Sequence, residues 1–85
     1  MVTIEQEEQN MAKVNVKALR RELKEAGYDT QYMRKVGRVM VEMGWQDKVS
    51  VESTRTARYI IERYAESFDI VVYNNGYMYF GVWTD

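Results

Sequence analysis

The stretch that decides the fold runs from Asp69 to Thr84 and reads DIVVYNNGYMYFGVWT. Its middle dipeptide, Asn75-Gly76, tolerates the positive φ angles that a tight two-residue turn requires. β-branched and aromatic residues fill most positions on both sides of that dipeptide, as they do in strands. The stretch therefore predicts a β-hairpin in which Val72 pairs with Tyr79.

This pairing gives the hairpin two apolar faces. The face predicted to pack on the rest of the domain carries Val71, Tyr73, Met78, Phe80 and Val82. The face predicted to point outward carries Ile70, Val72, Tyr77, Tyr79 and Trp83. Tyr and Trp are enriched at interface hot spots, so the outward set predicts a protein interface. Soluble monomers rarely expose so large an apolar patch, and we therefore expect a homodimer formed by a two-fold pairing of hairpins.

Upstream of the hairpin, apolar residues at helical spacing predict three helices. The first begins at Asn15, which can cap its first turn, and ends at Gly27. The second begins at Asp29 or Thr30 and ends at Gly44, with an apolar face of Tyr32, Met33, Val36, Val39, Met40 and Met43. The third begins at Ser53 or Thr54 and ends at Asp69, with an apolar face of Ala57, Ile60, Ile61, Tyr64, Ala65 and Phe68. The residues just before it, 49–52, fit either a short strand or the entry to the helix.

These elements predict one α+β domain over residues 11–85, a three-helix bundle followed by a C-terminal β-hairpin. Residues 1–10, which carry Glu5, Glu7 and Glu8 and no cation, are predicted to be a disordered acidic leader. The order of elements resembles the winged helix-turn-helix domains. The third helix begins with Ser53-Thr54-Arg55-Thr56-Ala57-Arg58-Tyr59, which has hydroxyl and guanidinium groups of the kind that contact DNA.

The resemblance implies that the third helix enters the major groove of DNA and that the hairpin is the wing. The DNA-binding candidates on the third helix are Thr54, Arg55, Arg58 and Tyr59; those expected on phosphates from the second helix are Arg34, Lys35 and Arg38. The same residues also fit an ordinary solvated helix surface, on which Arg58 would pair with Glu62 one turn later.

Composition excludes several classes of enzyme function. The 85 residues include no Cys and no His, which removes thiolate nucleophiles, the usual general base near neutral pH and the commonest metal ligands. Neither a Gly-rich phosphate loop nor a paired-carboxylate motif occurs, so we expect no enzymatic activity, cofactor or metal. The sequence shows no membrane span and no signal peptide, which favours a cytoplasmic protein.

Two functions remain. The first is a small DNA-binding regulatory or accessory protein of the phage or mobile-element type. The alternative is a protein-binding inhibitor or adaptor, for example a phage-encoded antagonist of a host defence or replication protein, that acts through the aromatic hairpin.

Overall fold

The computed structural model of the protein describes residues 14–84, which form two helices and four strands. In chain order these are α1 (Val16–Glu25), β1 (Thr30–Met33), β2 (Arg38–Trp45), a short 3₁₀ turn (Gln46–Lys48), α2 (Val51–Glu62), β3 (Phe68–Val72) and β4 (Tyr77–Trp83). The predicted acidic leader, residues 1–10, lies outside the described residues.

The four strands form one antiparallel sheet in the order β1-β2-β4-β3. Both helices pack on one face of this sheet, where the core is made of Leu19, Leu23, Ala57, Ile60, Ile61, Val39, Val41, Phe80 and Val82. No helix of residues 14–84 packs on the opposite face, which we call the open face. The molecule is therefore a two-layer α+β domain, and the predicted α+β class is correct.

The two real helices are close to their predicted positions. The Asn15 side chain caps α1 by accepting a hydrogen bond from the Ala18 N–H at 3.1 Å. Ser50 caps α2 by accepting from the Ser53 N–H at 3.0 Å, so this helix begins earlier than expected and Val51 is its first residue. It ends at Glu62, and Phe68, predicted on its apolar face, instead begins β3.

The predicted second helix is wrong, because residues 30–45 form the β1–β2 hairpin. The chain reverses at residues 34–37, where Gly37 has a φ of +75° and donates its N–H to the Met33 carbonyl at 2.9 Å. Val39, Met40 and Val41 are all buried, Val39 and Val41 on the helix side of the sheet and Met40 on the open face. Such a run has no clear two-residue alternation, and its apolar positions matched a helical spacing by coincidence.

The predicted hairpin exists, but its register is wrong by one residue. Val72 pairs with Met78, and Val71 pairs with Tyr79. The loop has three residues, Asn74–Gly76, because the Tyr73 N–H bonds to the Tyr77 carbonyl at 3.0 Å. A shift of one residue moves every side chain of one strand to the other face, so Val71 lies on the open face and Ile70 on the helix side.

Together these findings rule out the three-helix bundle and the winged-helix arrangement. The predicted two-stranded wing is part of a four-stranded sheet, and the segment predicted as the second helix forms the other two strands of that sheet. β1 and β2 lie beside β4 and widen the sheet. Phe80 and Val82 are therefore buried more fully than they would be in a lone hairpin.

Candidate functional site

An open groove lined by several Lys and Arg residues lies between α1 and the edge strand β1. Its volume is about 500 Å³, and it is lined by Val16, Lys17, Arg20, Arg21, Lys24, Thr30, Tyr32 and Arg34. Five of the chain's twelve Lys and Arg residues thus line one surface, and none of its lining residues is a carboxylate. We call this surface the basic groove.

Two cations of the basic groove are held in place by neighbours. Arg20 donates from Nε to the Thr30 hydroxyl at 2.9 Å and from Nη2 to the Thr30 carbonyl at 3.3 Å. Two of its five N–H donors are used in this way, so three remain for a ligand. The Arg34 guanidinium lies 5.8 Å from the centre of the Tyr32 ring, within the range of a cation–π contact. The groove is therefore partly organised before any ligand binds.

Sequence reasoning missed this groove, although α1 contained a signal for it. Lys17, Arg20, Arg21 and Lys24 follow the i, i+3, i+4, i+7 spacing that places side chains on one side of a helix. The acid between them, Glu22, points away from the groove, because it accepts a hydrogen bond from Tyr64 and forms an ion pair with Arg63, both in the segment that follows α2. What the sequence could not supply is β1, which forms the second wall.

The candidates expected on the third helix all lie on or near the surface of α2, outside the basic groove. Arg58 donates to Glu62 at 2.9 Å, the pairing of an ordinary helix surface. Tyr59 is exposed and lies under the Arg63 guanidinium at 5.2 Å. Thr54 is half-buried in the first turn, and Arg55 is exposed. Because Glu62 already pairs with Arg58, α2 presents less free positive charge than the groove.

The three candidates expected on the second helix are separated by the real fold. Arg34 and Lys35 lie in the β1–β2 turn, and Arg34 lines the basic groove. Arg38 begins β2 and lies on the open face, with its guanidinium 4.1 Å from the centre of the Trp83 ring. Of the seven predicted DNA-binding residues, the structure places only Arg34 in the groove.

Arg38 belongs to a compact polar cluster at one end of the open face. Its Nη2 donates to Asp69 Oδ2 at 3.1 Å, and the Trp83 indole N–H donates to the same oxygen at 3.0 Å. The arginine crosses Gly81 so closely that a Cβ there would lie 2.3 Å from Nη2. Gly81 thus makes room for Arg38, and both the arginine and the tryptophan are fixed on the sheet.

The other end of the open face carries a row of four aromatic side chains, Trp45, Tyr77, Tyr79 and Tyr73. Ring centres along this aromatic row are 4.9, 5.4 and 5.2 Å apart. A bulge between Glu42 and Gly44 shifts the pairing of β2 with β4, which brings Trp45 opposite Tyr77 on the open face. Trp45 is 48% exposed and Tyr73 is 52% exposed, so the row is available to a partner.

Hydrogen bonding and burial raise the pKa of two tyrosines in this row. The Tyr77 hydroxyl donates to Glu42 Oε1 at 3.0 Å, and that hydrogen bond, with partial burial and the Glu42 charge, raises the pKa of Tyr77. Loss of solvent contact and the same carboxylate raise the pKa of Tyr79. Both phenols are therefore hydrogen-bond donors at neutral pH.

The residues predicted to form a protein interface divide between two surfaces. Tyr77, Tyr79 and Trp83 lie on the open face, as expected. Ile70 and Val72 lie on the helix side of β3, opposite to their predicted face, but the helices leave them 62% and 41% exposed. All five predicted positions keep some exposure, for different reasons.

Within the described part of the chain, no three Asp or Glu side chains lie together as metal ligands would. Neither helix is long and apolar enough to cross a membrane. A second hollow of about 510 Å³, beside the 3₁₀ turn, is lined by one acid, Asp47, and one base, Lys48, and carries no excess charge.

In comparisons with known proteins, no protein family, curated protein or solved structure matches this chain.

Proposed function

We propose that this protein is a small non-enzymatic DNA-binding protein, of regulatory or accessory type, that holds the phosphate backbone in the basic groove. The observation that carries the proposal is the concentration of Lys17, Arg20, Arg21, Lys24 and Arg34 around one groove in a chain whose net charge is −1. Segregation of this kind creates a positive surface on a protein that is acidic overall. The site of action would be the cytoplasm.

The geometry suits phosphate better than a base edge. Arg20 is fixed by Thr30 and presents its remaining donors as a planar fork, which matches the oxygens of a phosphate group. Lys17, Arg21 and Lys24 extend the positive surface along nearly two turns of α1, about 10 Å at 1.5 Å per residue. Successive phosphates of one DNA strand lie within that reach.

The test is titration of a fluorescent duplex with the protein at about 50 mM salt and at several higher concentrations, since each phosphate contact contributes about −0.9 to the slope of log K against log salt. The Arg21→Ala/Lys24→Ala double variant should bind more weakly and lose about two units of that slope. Arg20 is left intact because it also supports β1.

The matched control is Arg55→Ala/Arg58→Ala, which removes the same charge from α2. We expect this control to bind as the wild type does. Equal losses of DNA affinity in both double variants would show that the affinity depends only on the net charge of the protein. Absence of binding at low salt would overturn the proposal, as would a control that loses more affinity than the groove variant. Far-ultraviolet circular dichroism checks that both variants keep their helices.

A second candidate, an inhibitor or adaptor that binds another protein, is favoured by the aromatic row. Rigid aromatic side chains that are half exposed and in mutual contact are typical of interface hot spots. A complex reassembled from the purified partner and this protein should be stoichiometric, and Trp45→Ala should abolish it. Tyr59→Ala, which removes an exposed aromatic from α2, should not. Retention of the complex in Trp45→Ala would contradict this function.

A further inference from the structure

Strand β3 forms one edge of the sheet, and its outer backbone groups can be identified from its pairing with β4. The Tyr73 N–H bonds to the Tyr77 carbonyl, and the Trp83 N–H bonds to the Ser67 carbonyl. In an antiparallel pair, residues that bond inward alternate with residues whose N–H and C=O point away. The odd-numbered residues from 67 to 73 therefore bond to β4. Phe68, Ile70 and Val72 direct their backbone groups outward.

The same three residues carry apolar side chains on the helix side of the sheet. Phe68 is packed against the core, whereas Ile70 and Val72 are largely exposed. A flat, apolar edge strand is a template for pairing with another strand, and soluble proteins usually protect it with a lysine, a proline or a bulge. β3 has none of these, and the pairing of β3 with β4 is regular throughout.

The one charge on β3 does not protect the edge either. Asp69 lies on the open face, where Oδ2 accepts from both Arg38 and the Trp83 indole. These bonds draw the carboxylate across the sheet toward β4 and β2. The edge thus offers three outward N–H groups and three outward carbonyls with apolar side chains beside them.

We propose that a second copy of this chain covers the edge, with β3 pairing antiparallel to β3 of the partner about a two-fold axis at Ile70. Ile70 is the middle residue of the five, so this centre aligns the whole strand with its copy. Each Ile70 then faces the partner's Ile70, and each Phe68 faces the partner's Val72. All three pairs are formed by outward-directed residues, which exchange two hydrogen bonds per pair.

Complementarity of side chains supports this register. The pairs on the helix side are apolar throughout, and they cover Ile70 and Val72, the two side chains that the helices leave exposed. On the open face, Asp69 lies opposite the partner's Val71, so no like charges face each other across the interface. The result is a continuous eight-stranded sheet. Because β1 is at the opposite edge, this inference does not depend on the basic groove.

A charge-exchange experiment tests the contact at Ile70. The wild type should have a mass of about twice the 10.1 kDa of one chain by light scattering at hundreds of micromolar. Ile70→Glu and Ile70→Lys each place two like charges across the axis, so each variant alone should be monomeric. An equimolar mixture of the two should regain the double mass, because Glu then faces Lys.

The matched control is Val51→Glu, which places the same charge at another exposed apolar position, on α2, and should stay dimeric. Hydrogen exchange gives a second measurement: the backbone amides at positions 70 and 72 should be protected in the wild type and should exchange fast in either charged variant. A wild type of single-chain mass would overturn the proposal. So would an Ile70→Glu variant that remains dimeric, or a mixture that remains monomeric.

Discussion

At the scale of single residues, Glu42 is a carboxylate that contributes to the raised pKa of two tyrosines in the aromatic row, Tyr77 and Tyr79. It accepts the Tyr77 hydrogen bond at 3.0 Å and its charge also raises the pKa of Tyr79. A phenol whose pKa is raised on folding stabilises the folded state below its ordinary pKa of about 10. That contribution is lost as the pH rises through the folded-state pKa, so the folded state should lose stability in alkali.

Glu42→Gln should lower the pKa of Tyr77 toward its ordinary value. Glutamine keeps an oxygen that can accept the hydrogen bond but removes the negative charge that opposes phenolate formation. The measurement is a pH titration of tyrosine ring carbons by NMR, which resolves Tyr77 from the other tyrosines. Asp29→Asn is the control, because Asp29 is the weakest of the causes that raise the pKa of Tyr77. An unchanged pKa in Glu42→Gln would contradict this assignment.

At the scale of elements, the β1–β2 hairpin distinguishes the real fold from the expected bundle. Its turn requires Gly37, whose φ of +75° lies in the left-handed region. The Thr84 N–H also bonds to the Gly37 carbonyl at 2.9 Å, which joins this turn to the end of β4. A change at Gly37 therefore affects the sheet as well as the turn.

Gly37→Ala should destabilise the protein by about 1–2 kcal/mol, the cost of the left-handed conformation for a residue with a side chain. Val36→Ala, at the neighbouring exposed position in the same turn, should change the free energy of unfolding by less than about 0.5 kcal/mol. Urea denaturation followed by circular dichroism measures both. If residues 34–37 were helical, Gly37→Ala would instead stabilise by up to about 1 kcal/mol, so the sign of the change separates the two folds.

The elements that were predictable from the sequence are those whose signals are local. Asn15 and Gly27 mark the ends of α1, and the spacing of Ala57, Ile60 and Ile61 identifies α2. The β1–β2 hairpin was missed because burial of Val39, Met40 and Val41 on two faces depends on strands distant in sequence. The register of the second hairpin failed because Asn74 can extend the Asn75-Gly76 turn to three residues, a choice that neighbouring strands decide.

The candidate sites differ in the same way: the surface with a local sequence signal was predicted, and the surface that depends on pairing between distant segments was not. Tyr77, Tyr79 and Trp83 were placed on the correct face because β4 alternates regularly. The basic groove was not predicted because it exists only where β1 lies beside α1, and its second wall was expected to be helix. A long-range pairing therefore determines which of the many Lys and Arg residues lie together.

At the scale of the whole molecule, pairing of two copies through β3 fixes the distance between their basic grooves. In the dimer the strand order runs from β1 of one copy through both β3 strands to β1 of the other, which makes seven spacings between strands. At about 4.8 Å each, the two β1 strands lie about 34 Å apart. One turn of B-DNA is also about 34 Å, so the spacing between the two basic grooves matches that between phosphates one turn apart on a duplex.

The wild-type dimer should therefore bind a duplex of about 20 base pairs at least tenfold more tightly than one of about 10, because the second groove binds the same molecule at high effective concentration. Monomeric Ile70→Glu should bind both lengths with nearly equal, weaker affinity. The Ile70→Glu/Ile70→Lys mixture should regain the preference for the longer duplex, which separates loss of the dimer from the added charge. Fluorescence anisotropy at constant salt measures all three. Equal affinity of the wild-type dimer for the two lengths would show that its grooves do not act on one duplex together.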